Sequence, residues 1–533
     1  MRSTCFLTDE WIESANKLFA SLTIDPVSAT WLELELLRPP DGVVPRLVVE
    51  ADLGSGGLRL SPAGADAGED ADVLVRLPYE AAAALLLGSG EERAQVFESE
   101  EVELEGDFTR VFFLDGVLQR DRGGVLAELR RGSSGIRAGL GARDWARAPA
   151  TPVDAGTERA AVDAAERALP RTMRELRAEV GSSTPGAQLY VSHQSEPVAS
   201  VGLGWCRPGV PFTHDAPTLW YCCAKPLSSL ALGQLWERGL LDPWRPLAAY
   251  LPGFAGPGRD EITLYHVLTH TGPVPTGNDP LHGCLAAPMD ARRRRVHAMR
   301  IPEGSAPERR VNYVQWWAWL LIADLIEALD GRGYTRYLEE EVLGPCGLSD
   351  TRVQLSGAEY RRLRDRLPLI WVSDGDGGMQ PAAWFSTEHS ATRCIPGINT
   401  RGTMADLGRF FEVLLAGGQA PGGRVAAPTT VAAITGRHRT TLRDAFGNAD
   451  WGLGFRLESR HYGDTYVTFS RYSSLRTFGH DGLWTSVVFA DPEVELVVAL
   501  HLNGKVDHNR HRGRMLRIGA AVYEDLGLDR AGA

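Results

Sequence analysis

The sequence predicts two α+β domains joined by a linker. With 533 residues, the chain is too long for one compact core. Its content of 44% hydrophobic and 23% charged residues is typical of a folded globular protein. Residues 129–158 are rich in Gly, Ala and Pro and lack apolar periodicity, which predicts a linker between domains at 1–128 and 159–533.

The first domain is predicted to combine short alternating strands with helices. An amphipathic helix over 9–22 precedes four strands, and a second helix over 78–87 leads to a late strand at 102–107. The order Asp72-Val-Leu-Val, Gly88, Phe97 and Val102-Glu-Leu-Glu-Gly-Asp107-Phe resembles the sterol-carrier-protein-like lipid-binding domains. That resemblance implies a tunnel for an apolar ligand or a docking module. A scaffold or dimerisation domain is the alternative.

The second domain contains a helix start that carries two reactive groups. Pro226 is tolerated only in the first turn of a helix, so the helix begins near Cys222 or Cys223. Cys222 and Lys225 are three residues apart and project from one face of that turn. The helix dipole and the ammonium are both expected to lower the pKa of the thiol.

Lys225 also stands out by composition. The chain has 56 Lys and Arg residues, but lysine occurs only at positions 17, 225 and 505. An ammonium can act as a base and a guanidinium cannot, which favours a specific role for a retained lysine. The alternative is an ordinary amphipathic helix that opens with a buried cysteine and a surface lysine.

Three blocks in chain order carry a second resemblance. They are the strand pair 185–193 and 198–204, the Cys222-Cys-Ala-Lys225 segment, and Ile262-Thr-Leu-Tyr-His-Val-Leu-Thr-His-Thr-Gly272. From about 160 to 528 the chain resembles the serine β-lactamase and penicillin-binding-protein superfamily, in particular class C β-lactamase-like esterases and transacylases. The resemblance implies an antiparallel sheet flanked by helices, with a helical subdomain. It places Cys222 where the family has its nucleophilic serine.

The resemblance also implies the other site residues. Tyr313 aligns with the tyrosine of the family's Tyr-x-Asn motif, and Gln315 stands where asparagine is usual. His480-Asp481-Gly482 replaces the Lys-Thr-Gly motif, and His480 would supply a donor or a positive charge. The backbone N–H groups of Cys222 and Leu483 would form the oxyanion hole, and Gln315, Asp481 and Gly482 would contact the substrate. We expect Tyr313, near an ammonium, to have a lowered pKa.

A cysteine nucleophile changes the expected chemistry. A thiolate is a better nucleophile than a serine hydroxyl, and its acyl product is a thioester that reacts well with amines. We therefore predict an acyltransferase that moves an acyl group to an amine or alcohol of a small metabolite. The acyl donor is a small molecule, with carrier-protein and CoA thioesters among the candidates. A hydrolase of esters, amides or β-lactams and a catalytically silent binding module remain alternatives. A degenerate site, an engineered Ser→Cys change and a non-catalytic thiol also remain open at Cys222.

Composition limits the other function classes. A net charge of −12 and a pI near 5.6 argue against a nucleic-acid partner. Seven scattered cysteines form no disulfide or zinc pattern, and no export segment or membrane span is recognised, which predicts a cytoplasmic protein without a cofactor. His266 and His270, four apart on a predicted helix, are more typical of structural residues than of metal ligands. Residues 292–295, four consecutive arginines, are interpreted as a solvated face, with a lip for an anionic substrate as the alternative. The oligomeric state is left open.

Overall fold

The computed structural model describes most of the chain from residue 156 onward and shorter segments before it. The described residues are 4–19, 30–51, 58–63, 73–87, 103–106, 133–134, 156–273, 289–301, 305–308, 311, 313, 317–373, 379–382, 387–440 and 450–529. The chain divides into two compact units, the first comprising Met1–Arg147, Thr276–Arg295 and Val372–Ser390, and the second comprising Ala148–Pro275, Val296–Trp371 and Ala391–Ala533. Most of the predicted linker lies outside the described residues.

The N-terminal elements form a five-stranded mixed sheet with two helices. The elements are β1 (Thr4–Cys5), α1 (Asp9–Phe19), β2 (Thr30–Leu37), β3 (Arg46–Ala51), β4 (Leu58–Pro62), β5 (Val73–Pro78), α2 (Tyr79–Leu87), β6 (Glu103–Gly106) and β7 (Ser133–Ser134). The sheet order is β4-β3-β2-β5-β6, and only the β2–β5 pair is parallel. Helix α1 buries Trp11, Ile12, Ala15 and Phe19, which follow the helical spacing. The strands and helices predicted for this region are present within the described residues, but the resemblance to sterol carriers stays a prediction.

From residue 156 onward, the chain contains both helices and strands. The elements are α3 (Gly156–Ala168), α4 (Pro170–Glu179), β8 (Gly186–His193), β9 (Glu196–Arg207), β10 (Val210–Pro211), β11 (Thr218–Leu219), α5 (Lys225–Glu237), α6 (Leu264–Leu268), α7 (Met289–His297), α8 (Trp317–Asp330), α9 (Tyr334–Leu338), α10 (Gly357–Leu363), β12 (Ile370–Ser373), β13 (Met379–Ala382), α11 (Glu388–Ala391), β14 (Arg401–Gly402), α12 (Met404–Leu415), β15 (Gln419–Ala420), β16 (Gly423–Arg424), α13 (Pro428–Thr435), β17 (Arg456–Leu457), β18 (Phe478–Gly482), β19 (Ser486–Asp491), β20 (Leu496–Leu502), β21 (Gly504–Lys505) and α14 (His508–Asp525).

The second unit is built on a seven-stranded antiparallel sheet. Its order is β10-β9-β8-β20-β19-β18-β17, so the strands at the start of this region pair with those near the end of the chain. One face packs against α3, α4 and α14 around buried residues such as Leu176, Val498 and Ile518. The other face meets α12, where Gly408 lies against the ring of Tyr190. The predicted antiparallel sheet flanked by helices is therefore confirmed.

A close approach between β18 and the turn before α5 brings two distant parts of the sequence together. A Cβ at Gly482 would lie 2.5 Å from the carbonyl oxygen of Trp220 and 3.1 Å from the Cβ of Tyr221. Only glycine allows β18 to approach so closely. The last residue of β18 and the start of α5 therefore sit side by side. No helix within the described ranges is long and apolar enough to cross a membrane.

Candidate active site

A tight turn positions the two groups predicted at the start of α5. Residues Tyr221–Ala224 form a 3₁₀ turn, and the α-helix follows from Lys225 with proline in its first turn. Tyr221 has a φ of +48°, an uncommon value for a non-glycine residue and one that is often found at functional sites. The turn is anchored by the Trp220 side chain, whose Nε1 donates to the Gly402 carbonyl at 3.0 Å. The α-helix therefore starts two to three residues later than predicted, and Cys222 lies in the turn that enters it.

Cys222 and Lys225 are in direct contact. The Lys225 Nζ lies 3.3 Å from the Cys222 Sγ and 3.3 Å from the carbonyl oxygen of Gly397. Lys225 is fully buried, and its ammonium lies 4.4 Å from the ring centroid of Trp319. The alternative of a surface lysine is therefore wrong. Cys222 is buried, with 7% of the residue surface exposed.

Burial changes the protonation of Lys225. Burial lowers the pKa of this ammonium, while the negative charge and hydrogen bond offered by Cys222 oppose the shift. A lysine with a lowered pKa is more often neutral and can accept the proton of a neighbouring thiol. The pair can therefore generate a nucleophile.

Cys223 has a different environment from Cys222. It is fully buried, and its Sγ lies 3.5 Å from the carbonyl oxygen of His480 and 3.7 Å from the Oγ of Ser486. Burial raises the pKa of the Cys223 thiol well above its usual value. Cys223 therefore holds the turn against β18 and β19, and a thiol of this kind is a poor nucleophile.

Tyr313 lies beside Cys222, as the resemblance implies. Its ring centroid is 5.9 Å from the Lys225 Nζ and 6.3 Å from the ring centroid of His480, and its phenol hydrogen-bonds to Cys222. The prediction of a lowered phenol pKa is wrong. Burial raises the pKa of Tyr313 well above its usual value, and the charges of Cys222 and Asp481 add to the effect. Tyr313 therefore stays protonated and can act as a donor.

His480 lies on β18 and is fully buried. Its Nδ1 is 2.8 Å from the carbonyl oxygen of Asp481, and a carbonyl only accepts, so Nδ1 carries the proton. The Nε2 atom then has a lone pair, and it has no hydrogen-bond partner among the described residues. Burial lowers the pKa of His480 to about 3, so the ring is neutral. The prediction that His480 offers a donor or a positive charge is therefore wrong, because the fixed tautomer makes Nε2 an acceptor.

Asp481 follows His480 on β18, so its side chain leaves the strand on the opposite face, with its Oδ1 3.8 Å from the Nδ1 of His480. Its Oδ1 lies 2.6 Å from the Nη1 of Arg456. Burial would raise the pKa of this carboxyl, but the charges of Arg456, His480 and His511 and the hydrogen bond from Arg456 together lower the pKa to about 2. The carboxylate predicted to contact substrate is thus engaged in an ion pair.

The predicted oxyanion hole lies where β18 ends. Leu483 and Trp484 have φ values of +34° and +60°, so the chain turns sharply after Gly482. Within the described part of the chain, neither the Cys222 nor the Leu483 backbone N–H donates a hydrogen bond. Both groups are therefore available to a ligand. Gln315, predicted to contact substrate, lies outside the described residues.

Sequence reasoning missed the aromatic surroundings of the site. The His270 ring lies 4.5 Å from Tyr313, 4.6 Å from Trp451 and 5.7 Å from Trp319, measured between centroids. His270 does not share a helix with His266, since α6 ends at Leu268 and His270 has a φ of +60°. Burial lowers the pKa of His270 well below its usual value. Among the described residues, no group of His, Cys, Asp and Glu could hold a metal ion.

Comparisons with known proteins agree on one family. The family model described as beta-lactamase matches residues 162–522. Among curated proteins, the chain is 27% identical over 348 residues to "Esterase/beta-lactamase LipL" of Mycobacterium tuberculosis, covering 59% of this chain and 76% of the relative.

Two solved structures have the same fold at low sequence identity. "EstCE1, a hydrolase with promiscuous acyltransferase activity" superposes with a TM-score of 0.55 at 17% identity, covering 67% of this chain and 99% of that one. A simvastatin synthase mutant from Aspergillus terreus superposes with a TM-score of 0.53 at 18% identity, covering 69% and 98%.

Proposed function

Since the chain belongs to the beta-lactamase family, we propose that it is an acyltransferase that forms a thioester acyl-enzyme on Cys222. The observation that carries this proposal is the 3.3 Å contact between the Cys222 sulfur and a fully buried Lys225. The hydrophobic surroundings favour a neutral amine, and a neutral amine can take the proton of a thiol. No other lysine in the sequence lies within three residues of a cysteine.

In the first half-reaction, Cys222 attacks the carbonyl carbon of the acyl donor. Lys225 takes the thiol proton as the carbon–sulfur bond forms, and the N–H groups of Cys222 and Leu483 stabilise the oxyanion. The bond to the leaving group then breaks. Tyr313, which is protonated before this step, passes its proton to the leaving group and is reprotonated by the Lys225 ammonium. The products are the thioester and the protonated leaving group.

In the second half-reaction, an amine or alcohol attacks the thioester. The Nε2 of His480 accepts a hydrogen bond from the N–H or O–H of the acceptor and orients it. The acceptor proton passes to Lys225 and then to the sulfur as the carbon–sulfur bond breaks. This sequence restores the thiol and releases the acylated acceptor.

Transfer is favoured over hydrolysis by the chemistry of the intermediate. A thioester reacts well with amines, and the aromatic rings of His270, Trp319 and Trp451 reduce the room for water around Tyr313. EstCE1 is described as a hydrolase with promiscuous acyltransferase activity, which is compatible with transfer on this fold. Small-molecule esters and thioesters, including those of CoA and carrier proteins, are the proposed donors.

A hydrolase is the second candidate. The relative from Mycobacterium tuberculosis is named an esterase/beta-lactamase, and this supports ester hydrolysis by the same residues. In that case water replaces the amine in the second half-reaction. Product analysis with and without an added primary amine separates the two candidates.

The test is covalent trapping. The full-length protein is incubated with an acyl thioester such as an N-acetylcysteamine ester, and intact mass is measured after rapid acid quenching. The expected result is one added acyl group, which peptide mapping locates on Cys222. Cys222→Ala is expected to show no adduct, and Cys223→Ala, which alters the adjacent thiol, is expected to keep it. An adduct of equal yield in Cys222→Ala would refute the proposal.

A further inference from the structure

A pocket lies on the side of β18 that faces away from Cys222. Its lining includes Arg456 and Asp481 from the sheet and His508, His511 and Arg512 from α14. We propose that this pocket, here called the rear pocket, binds a small oxyanion such as phosphate or a carboxylate group. The proposal does not depend on the proposed acyl transfer, since it rests on other residues.

The geometry of α14 assembles one wall of the rear pocket. His508, His511, Arg512 and Met515 follow the spacing i, i+3, i+4 and i+7, so they share one face of the helix. His508, His511 and Arg512 lie in its first two turns. The positive end of the dipole of an 18-residue helix therefore lies at this wall and favours a negative ligand.

His511 offers a buried donor that lacks an acceptor in the described part of the chain. It is 3% exposed, and its Nδ1 lies 3.2 Å from the Nη2 of Arg514. A guanidinium only donates, so Nδ1 accepts and the proton of the neutral ring sits on Nε2. This Nε2 has no partner among the described residues. A buried N–H without an acceptor costs free energy, and an anion in the rear pocket would satisfy it.

Arg456 offers a second donor of this kind. Its Nη1 contacts Asp481, but its Nε is buried and has no hydrogen-bond partner in the described structure. Arg512 also lines the pocket and donates through Nη2 to the carbonyl oxygens of Thr465 and Val467. Two guanidinium groups thus line the pocket with one carboxylate. Guanidinium N–H groups form strong, charge-assisted hydrogen bonds with oxyanions.

An anion bound in the rear pocket would affect the candidate active site through β18. An anion on Arg456 would compete with Asp481, and the backbone carbonyl of Asp481 holds the Nδ1–H of His480 at 2.8 Å. A shift of this residue would move the imidazole. A ligand behind the strand could therefore modulate chemistry in front of it.

The experiment is a titration of the full-length protein with sodium phosphate by calorimetry, with sodium acetate as a second arm and sodium chloride at matched ionic strength as the blank. We expect saturable one-to-one binding of at least one oxyanion. Comparison of the affinities for acetate and phosphate shows which of the two anions the pocket prefers. Arg512→Gln is expected to weaken binding at least tenfold, and Arg512→Lys to weaken it less because the charge is kept.

Arg510→Gln is the matched control, because Arg510 lies on the same helix, is exposed and does not line the pocket. It is expected to bind within twofold of the unmodified protein. If Arg512→Gln does not fold, His511→Phe, which removes the Nε2 donor, takes its place. Heats equal to those of chloride, or equal affinities in the Arg512 and Arg510 variants, would overturn the proposal. Cys222→Ala is expected to keep phosphate binding, so that failure of acyl transfer and failure of this site are distinguishable.

Discussion

The two sides of strand β18 present buried histidines with opposite hydrogen-bonding character. On the side of Cys222, His480 donates through Nδ1 to a backbone carbonyl and leaves Nε2 as an acceptor. On the side of α14, His511 accepts at Nδ1 from Arg514 and leaves Nε2–H as a donor. Both rings are neutral because burial lowers their pKa. The partner of one nitrogen therefore decides what the other can bind, and the same residue type suits an incoming N–H on one side and an anion on the other.

This comparison predicts that substitutions on the Cys222 side of β18 lower the rate of acyl transfer, whereas substitutions on the α14 side lower the free energy of unfolding. The largest effect is expected for Lys225→Arg. Arginine keeps the positive charge but cannot take the thiol proton, so acylation should slow by about 10²–10⁴-fold. Stopped-flow or quenched-flow measurement of the first half-reaction provides the readout. A rate within threefold of the unmodified protein would show that Lys225 is not the base.

The pH dependence of acylation also tests whether Lys225 is the base. Because burial lowers the pKa of Lys225, the neutral base should appear below pH 10.5, and the rate should rise with pH through that lowered pKa. The rising limb should disappear in Lys225→Met, which has no titrating group at this position. A rising limb that persists unchanged in Lys225→Met would assign the titration to another group.

A smaller effect is expected for His480→Leu, which removes the Nε2 acceptor. Transfer to an amine should fall by about 10–10²-fold, because the acceptor loses the partner that orients its N–H. Acylation of Cys222 by the donor should change less, since the role proposed for His480 belongs to the second half-reaction. Comparison of adduct formation with amine-dependent adduct decay measures both steps. An equal loss in the two steps would contradict this division of roles.

The smallest effect concerns the ion pair on the other side of β18. Asp481 has a pKa of about 2, which is below the ordinary value of an aspartate. The ionised carboxylate therefore stabilises the fold above about pH 4. This contribution is lost as the pH falls from about 4 to 2. Asp481→Asn should lower the free energy of unfolding at pH 7 by about 2 kcal/mol. Urea unfolding at pH 7 and pH 3 measures the difference, which should shrink at the lower pH. An equal difference at both values would rule out the ion pair as its cause.

Local patterns predicted much of the second unit. The helix start around Lys225 follows from the position of Pro226, although the α-helix begins two to three residues later than predicted, and the strand pair of β8 and β9 follows from the family resemblance. The contact of Cys222 with Lys225 also follows from their spacing on one turn. The family resemblance is confirmed by the match over residues 162–522.

Other properties of the site depend on residues far apart in the chain. The aromatic rings around Tyr313 come from separate segments, so no single motif signals them. The pKa of Tyr313 rises because packing excludes water, and proximity to an ammonium alone suggested the reverse. The helix predicted to hold both His266 and His270 ends earlier, because the chain turns at His270.

The sequence by itself determined the order of the motifs and the placement of a thiol beside an amine at the start of one helix. Those features depend on the chemistry and spacing of near neighbours. Only the tertiary structure decided that Lys225 is buried, that His480 is a neutral acceptor and that Asp481 pairs with Arg456. Protonation and tautomer depend on desolvation and on partners brought together from distant segments, and these exist only once the chain has folded.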